Sequence, residues 1–74
     1  MHDPRVDPRP GDVLSVKYTS AFSLLNYDAT VDIVGAVTIW YRSVTQLGEE
    51  DLRCSLVKWR SIMSEAEVLH VAGE

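Results

Sequence analysis

The sequence predicts a mainly β fold, either a small curled antiparallel sheet or an Src-homology-3-like barrel, with one short helix before the last strand. Apolar and polar residues alternate in several short segments, as in half-buried strands. β-branched and aromatic residues concentrate in the middle of the chain, where they favour strands. Helical spacing of apolar residues occurs in one late segment. At 74 residues the chain is expected to form one domain with a thin core.

Residues 1–12 are predicted to form an extended, proline-rich arm, and residues 13–74 a single barrel-like domain. The arm contains all three prolines, and the tripeptide Asp-Pro-Arg occurs in it twice. Proline fixes its own φ and pushes the preceding residue towards an extended conformation, so a helix is not expected here. The turn Pro-Gly-Asp at 10–12 then leads into the first strand. The arm is interpreted as a solvated leader or as a segment that lies against a partner subunit or a target.

Local patterns predict the elements of the domain. Val31 and Ile33 are expected to share one strand face, and Gly35 to form a tight hairpin or a bulge. Segment 46–51, which contains three consecutive acids, is expected to be an exposed turn. Ser55 is expected to cap the helix. The predicted elements are strands over 13–18, 30–34, 36–44 and 52–54, a helix over 55–64 and a strand over 67–72.

Segment 19–29 is too apolar for a plain solvated loop, since it contains Phe22, Leu24, Leu25 and Tyr27. It is expected to be either a helical turn or an extension of the two neighbouring strands into a long hairpin. In both cases its apolar side chains would cover one end of the core or meet another chain.

Charge and composition argue against several classes of function. The chain has seven basic and eleven acidic residues, so its net charge is −4 and its pI is near 5.0. This excess of negative charge disfavours a surface that neutralises phosphates. A single cysteine cannot form an internal disulfide, and metal ligands are not clustered, so no metal or other cofactor is expected. Apolar runs stay well below 18 residues and the start of the chain is polar, so neither a membrane span nor a signal peptide is expected. We therefore expect a cytoplasmic protein.

Catalysis is not expected. Cys54, His70 and an acid could supply a nucleophile, a base and an orienting group, and Arg53 with the helix start could lower the pKa of the Cys54 thiol. A barrel of this size leaves little room for a substrate cleft, and a lone cysteine is more often a small buried hydrophobe. His2 and His70 lie far apart in sequence and make a weak metal site.

Protein binding is the function that the residues favour. Trp40 and Arg42 share one face of the third strand, while Val37, Ile39 and Tyr41 make its other face apolar. A strand with large apolar side chains on both faces is buried on both sides or offers one side to a partner. Tryptophan, tyrosine and arginine are enriched at interface hot spots. The predicted protein-binding residues are Trp40, Arg42, Phe22, Leu25 and Tyr27. The alternative is that these residues complete one monomeric core, with Trp40 partly exposed.

Three segments resemble small uncharacterised proteins encoded in phage and prophage genomes. They are segment 7–14, with its Pro-Gly-Asp turn, segment 54–60, with Trp59 in a late helix, and segment 66–69, which reads Ala-Glu-Val-Leu. The resemblance implies a phage origin and a protein that binds host machinery, as an inhibitor or anti-defence factor. Self-association is expected because so short a chain cannot bury all of its apolar side chains by itself. An alternative is a small barrel that sequesters a nucleotide or small molecule, or binds nucleic acid, through Tyr41, Arg42, Lys17 and Lys58.

Overall fold

Five strands and one helix form the part of the chain that the computed structural model describes, residues 2–19 and 24–73. They are β1 (Val13–Thr19), β2 (Leu24–Val34), β3 (Thr38–Thr45), β4 (Gly48–Ser55), α1 (Leu56–Met63) and β5 (Glu67–His70). The strands make one antiparallel sheet in the order β4-β3-β2-β1-β5. The predicted mainly β fold, with a short helix before the last strand, is confirmed. Because β4 and β5 lie at opposite edges, the sheet is open and does not close into a barrel.

Strands β1 and β2 form one long hairpin. Their pairing runs from Val13 opposite Thr30 to Thr19 opposite Leu24. Segment 19–29 therefore extends the two strands, and the alternative of a helical turn is wrong for the residues that the structure describes. Residues 20–23, which include Phe22, lie outside the described residues.

A β-bulge in β2 changes which side chains face the core. Val31 lies opposite Tyr41 and Ile33 lies opposite Trp40, so Asp32 is one extra residue between two regular pairs. The extra residue reverses the alternation: Val31 is 2% exposed and Ile33 is 59% exposed. The prediction that Val31 and Ile33 share a face is therefore wrong.

The hairpins at both ends of β3 also differ from the sequence-based expectation. The Gly35 amide donates to the Thr38 carbonyl across 2.7 Å, so Gly35 lies in a turn and β3 begins only at Thr38. Val37 consequently belongs to the turn and is 72% exposed, instead of sharing the buried face of Ile39. At the other end the turn is limited to residues 46–47, and the three acids at 49–51 lie in β4. Charged residues suit this strand because it is an exposed sheet edge.

Helix α1 packs on one face of the sheet, here called the inner face. The Ser55 hydroxyl accepts a hydrogen bond from the Lys58 amide across 3.0 Å, which confirms the predicted cap. The helix buries Trp59 and Met63. The Trp59 ring meets the Tyr41 ring edge to face, with centroids 5.1 Å apart. The core on this face comprises Leu14, Val16, Ala29, Val31, Ile39, Tyr41, Trp59, Met63 and Ala66.

The N-terminal segment differs from the predicted extended arm, because it turns and packs on α1. The amides of Val6 and Asp7 donate to the Asp3 carbonyl across 3.0 and 2.7 Å. Proline is well tolerated at the first position of such a helical turn, since its missing N–H would have no partner there. Pro4 and Pro8 are both buried. Residues 2–11 are called the arm below.

Asp12 joins the arm to both ends of the domain. It is fully buried, and its Oδ2 accepts from His2 Nε2 at 2.7 Å and from the Arg9 amide at 2.8 Å. Its Oδ1 accepts from the Ala72 amide at 2.6 Å. Desolvation acts to raise the pKa of the carboxyl, but these donors outweigh it, so the pKa of Asp12 lies below its ordinary value. Asp12 is thus a buried anion with three donors.

Candidate functional site

The two faces of the sheet have different surroundings. The helix and the arm lie on the inner face, and no described element packs on the outer face. Alternation along β3 buries Ile39, Tyr41 and Ser43 and leaves Trp40 and Arg42 exposed. Trp40 and Arg42 therefore lie on the uncovered face.

Trp40 forms the centre of an apolar patch with a charged rim. Residues directly opposite in a sheet share a face, and Trp40 lies between Ile33 on β2 and Arg53 on β4. Trp40 is 38% exposed and Ile33 is 59% exposed. The depression around them has a volume of about 440 Å³. The Trp40 patch is defined here as Asp32, Ile33, Trp40, Arg42, Asp51 and Arg53.

Gly35 lets the indole of Trp40 lie close to the β2–β3 turn. A Cβ atom at position 35 would be 3.4 Å from Trp40 Cζ3 and 3.3 Å from the Thr38 carbonyl oxygen. The contact with the carbonyl oxygen would be tight, whereas the contact with the indole would be an ordinary van der Waals one. Glycine thus suits this position because the backbone of the turn approaches closely, and not because of an unusual φ.

Charges around the patch balance. Arg42 Nη1 lies 3.8 Å from Glu49 Oε2, and Arg42 Nε lies 3.5 Å from Asp51 Oδ1. Such exposed pairs contribute little to stability. Arg53 and Asp32 have no ion-pair partner among residues 2–19 and 24–73. The patch therefore carries two cations and two anions, and one of each is available to a bound partner.

The structure brings together only part of the predicted protein-binding set. Trp40 and Arg42 lie in the patch, whereas Tyr27 is half-buried against the core on the inner face. The backbone of Leu25 pairs with that of Tyr18 in the long hairpin, and Phe22 lies outside the described residues. Sequence reasoning missed Ile33 and Arg53. Ile33 was missed because the bulge reverses its side, and Arg53 because its place opposite Trp40 depends on strand register.

The alternative set for a small ligand or nucleic acid is dispersed. Tyr41 is buried against Trp59, and desolvation raises the pKa of its phenol to about 12. Arg42, the next residue, points to the outer face, since successive strand residues alternate. Lys58 belongs to the helix on the inner face, and Lys17 lies in the long hairpin. These four residues do not form one site.

Cys54 and His70 are not brought together either. Cys54 lies in β4 and His70 in β5, at opposite edges of the sheet, so four interstrand spacings of about 4.8 Å separate them. Desolvation raises the pKa of the Cys54 thiol, and the nearby charge of Lys58 offsets this only in part. The expectation that neighbouring positive charge could lower this pKa is therefore wrong. The half-buried thiol packs against the core, as expected of a small hydrophobe.

Cys54 should accordingly react slowly with thiol reagents. At pH 8 we expect folded Cys54 to react with Ellman's reagent roughly an order of magnitude more slowly than the same thiol in urea, because burial restricts access and a raised pKa lowers the thiolate fraction. The absorbance of the released thiolate measures both rates. A folded thiol that reacts faster than the unfolded one would contradict this expectation and identify an activated nucleophile.

Comparison of the chain with protein-family models, with curated proteins and with solved structures found no match. Among the described residues, no helix is long and apolar enough to cross a membrane. The same residues contain no group of three or more histidine, cysteine or acidic side chains placed to hold a metal ion.

Proposed function

We propose that this protein is a non-enzymatic binding module that docks on another protein through the Trp40 patch. The observation that carries the proposal is the exposed Trp40 beside the exposed Ile33, on a sheet face with no covering layer among the described elements. Tryptophan and arginine supply a large share of interface hot spots. The patch combines these residue types with an apolar centre and a polar rim, the usual anatomy of an interface.

Charge favours a protein partner over a nucleic acid. The net charge is −4, and the acids at 49–51 line the edge strand next to the patch. This field opposes the approach of phosphates, while the balanced charges of the patch suit the mixed surface of a protein. The resemblance of three segments to phage-encoded proteins supports a host protein as the partner, with inhibition or anti-defence as the effect, in the cytoplasm of a host cell.

Trp40→Ala tests the proposal. We expect the variant to keep the circular dichroism spectrum of the folded chain, because Trp40 lies outside the buried core. Loss of a hot-spot side chain should weaken partner binding by about 2 kcal/mol, or roughly 30-fold. The chain, Trp40→Ala and Val57→Ala are immobilised in parallel, and the proteins that each retains from a cell lysate are compared by mass spectrometry and then by titration.

Val57→Ala is the matched control, since Val57 is an exposed apolar residue of α1, away from the patch. A specific partner should bind the unaltered chain and Val57→Ala equally, and should be lost from Trp40→Ala. Equal retention on all three baits would remove the Trp40 patch as the docking site. Release of the bound material by low concentrations of heparin would favour a nucleic-acid function instead.

A further inference from the structure

Side chains of α1 hold the arm through hydrogen bonds to the main chain of the arm. Trp59 Nε1 donates to the Pro4 carbonyl across 2.9 Å, and Arg60 Nε donates to the Val6 carbonyl across 2.9 Å. In the reverse direction, Arg5 Nη1 donates to the Ala66 carbonyl across 3.5 Å. Two consecutive helix residues thus recognise two alternate carbonyls of one short segment. The surface formed by Trp59, Arg60 and Ala66 is called the Trp59 groove.

The groove has a donor that requires an acceptor. Trp59 is fully buried, and a buried indole N–H without a partner costs free energy of about 1–3 kcal/mol. The Pro4 carbonyl satisfies it, and Pro4 itself is buried. The groove therefore combines an oriented donor with apolar surface that accepts a proline ring. These two features select an extended or turning segment that contains proline.

The segment that occupies the groove forms its own turn. Asp3 Oδ1 accepts from the Arg5 amide at 3.0 Å and from Arg5 Nε at 3.1 Å. The Val6 amide closes the turn on the Asp3 carbonyl at 3.0 Å. An Asp-Pro-Arg sequence thus adopts the bound shape through local bonds, and such preorganisation lowers the entropy lost on binding.

The arm can leave without disturbing the sheet. Residues 2–8 form no backbone hydrogen bond with a described strand, whereas the Gly11 amide, at the end of the arm, donates to the Val31 carbonyl of β2 across 2.9 Å. The turn at 9–12 remains anchored, since the Asp12 amide donates to the Arg9 carbonyl at 3.0 Å and Asp12 keeps its bond to Ala72. Release therefore breaks the contacts of residues 2–8, among them the bond from His2 to Asp12.

We propose that the Trp59 groove is a second binding site, specific for an Asp-Pro-Arg turn of a partner protein, and that the arm occupies it in the isolated chain. The partner's turn displaces the arm and takes over the donors of Trp59 and Arg60. Because a short tether gives the arm an effective concentration in the millimolar range, the arm suppresses weak ligands and sets a threshold for binding. The groove lies on the helix side of the sheet, so this inference is independent of the Trp40 patch.

Hydrogen exchange of the indole N–H groups tests whether the arm opens. In the ¹⁵N-labelled full chain, we expect the Trp59 indole to exchange through a local opening, at least about tenfold faster than the slowest sheet amides after correction for intrinsic rates. The exposed Trp40 supplies an internal reference for an indole in contact with solvent. If the Trp59 indole N–H exchanges no faster than the slowest sheet amides, it exchanges only when the whole domain unfolds. The arm is then a fixed part of the core, and the proposal is overturned.

A synthetic peptide with the sequence of residues 1–10 tests recognition. Added to the full chain, it should shift the Trp59 indole resonance and leave that of Trp40 in place. Pro4→Ala in the protein weakens its own arm, so the peptide should bind this variant about tenfold more tightly. A peptide with each Asp-Pro pair reversed is the control. No shift with either protein, or an equal shift with the control peptide, would overturn the proposal.

Sedimentation of the full chain tests whether the Asp-Pro-Arg turn that binds the Trp59 groove comes from a partner protein or from a second copy of the chain. A monomer that binds the peptide supports a partner protein as the source. A dimer that the peptide dissociates would assign the groove to the arm of a second copy, and would overturn the partner assignment. Retention of lysate proteins by the Trp40 patch is unaffected by either result, so the two proposals fail separately.

Discussion

Replacing Asp12 with alanine is expected to lower the free energy of unfolding by about 3 kcal/mol, because it leaves three donors without their acceptor in a buried place. These donors are His2 Nε2 and the amides of Arg9 and Ala72. A 74-residue domain has a total stability of roughly 4–11 kcal/mol, so the change removes a large share of it. Urea denaturation followed by circular dichroism measures the difference.

Asp7→Ala is the matched control. Asp7 lies in the neighbouring arm, but it is exposed and its ion pair with Arg9, at 3.6 Å, is a surface one. Its removal should change the free energy of unfolding by less than about 0.5 kcal/mol. Equal urea midpoints for the two variants would show that the Asp12 contacts do not stabilise the fold.

The same carboxylate makes stability depend on pH. Because the pKa of Asp12 is lower in the folded chain than in the unfolded one, its contribution is present above the unfolded pKa, near 3.8, and is lost as the pH falls through the folded value. The stability gap between the chain and Asp12→Asn should therefore narrow on acidification. Hydrogen bonds from Arg5 lower the pKa of Asp3 as well, but Asp3 is present in both proteins, so its contribution cancels in this comparison. A stability difference that does not change with pH would contradict a lowered pKa of Asp12 in the folded chain.

Trp59→Ala is expected to destabilise the chain by about 3–5 kcal/mol, the usual effect of deleting a buried aromatic side chain. The change opens a cavity beneath Tyr41 and removes the donor that holds the Pro4 carbonyl. Trp59 is one of nine buried residues in the core cluster, and so small a core cannot refill the space that its side chain leaves. Urea denaturation again measures the loss.

Trp40→Ala is the control for Trp59→Ala, since it deletes a tryptophan side chain from the outer face of the sheet. Its effect on stability should be about 1 kcal/mol, in proportion to the smaller apolar area that it buries. Trp59→Phe keeps most of the volume and should lose about 1–2 kcal/mol, the contribution of the indole hydrogen bond. Similar destabilisation by Trp40→Ala and Trp59→Ala would mean that the outer face is part of the core.

Local patterns predicted those elements whose determinants lie close together in sequence. The helix could be recognised because Ser55 caps it and because Trp59 and Met63 recur at helical spacing. Strand β1 could be recognised from its alternation. The acids at 49–51 were misassigned to a turn, because acidic residues are typical of turns and only pairing with β3 makes them a strand. In the candidate site, sequence patterns predicted Trp40 and Arg42 but not Ile33 and Arg53.

The sequence alone determined the mainly β class, the position of the helix and the alternation that separates Trp40 from Tyr41, because each follows from residues within a few positions of one another. Tertiary structure decided which strand face the helix covers, where the bulge at Asp32 places Ile33, and where the arm lies. These features depend on contacts between residues far apart in sequence, such as Pro4 with Trp59. Alternation defines two faces of a strand, but only packing determines which one remains in water.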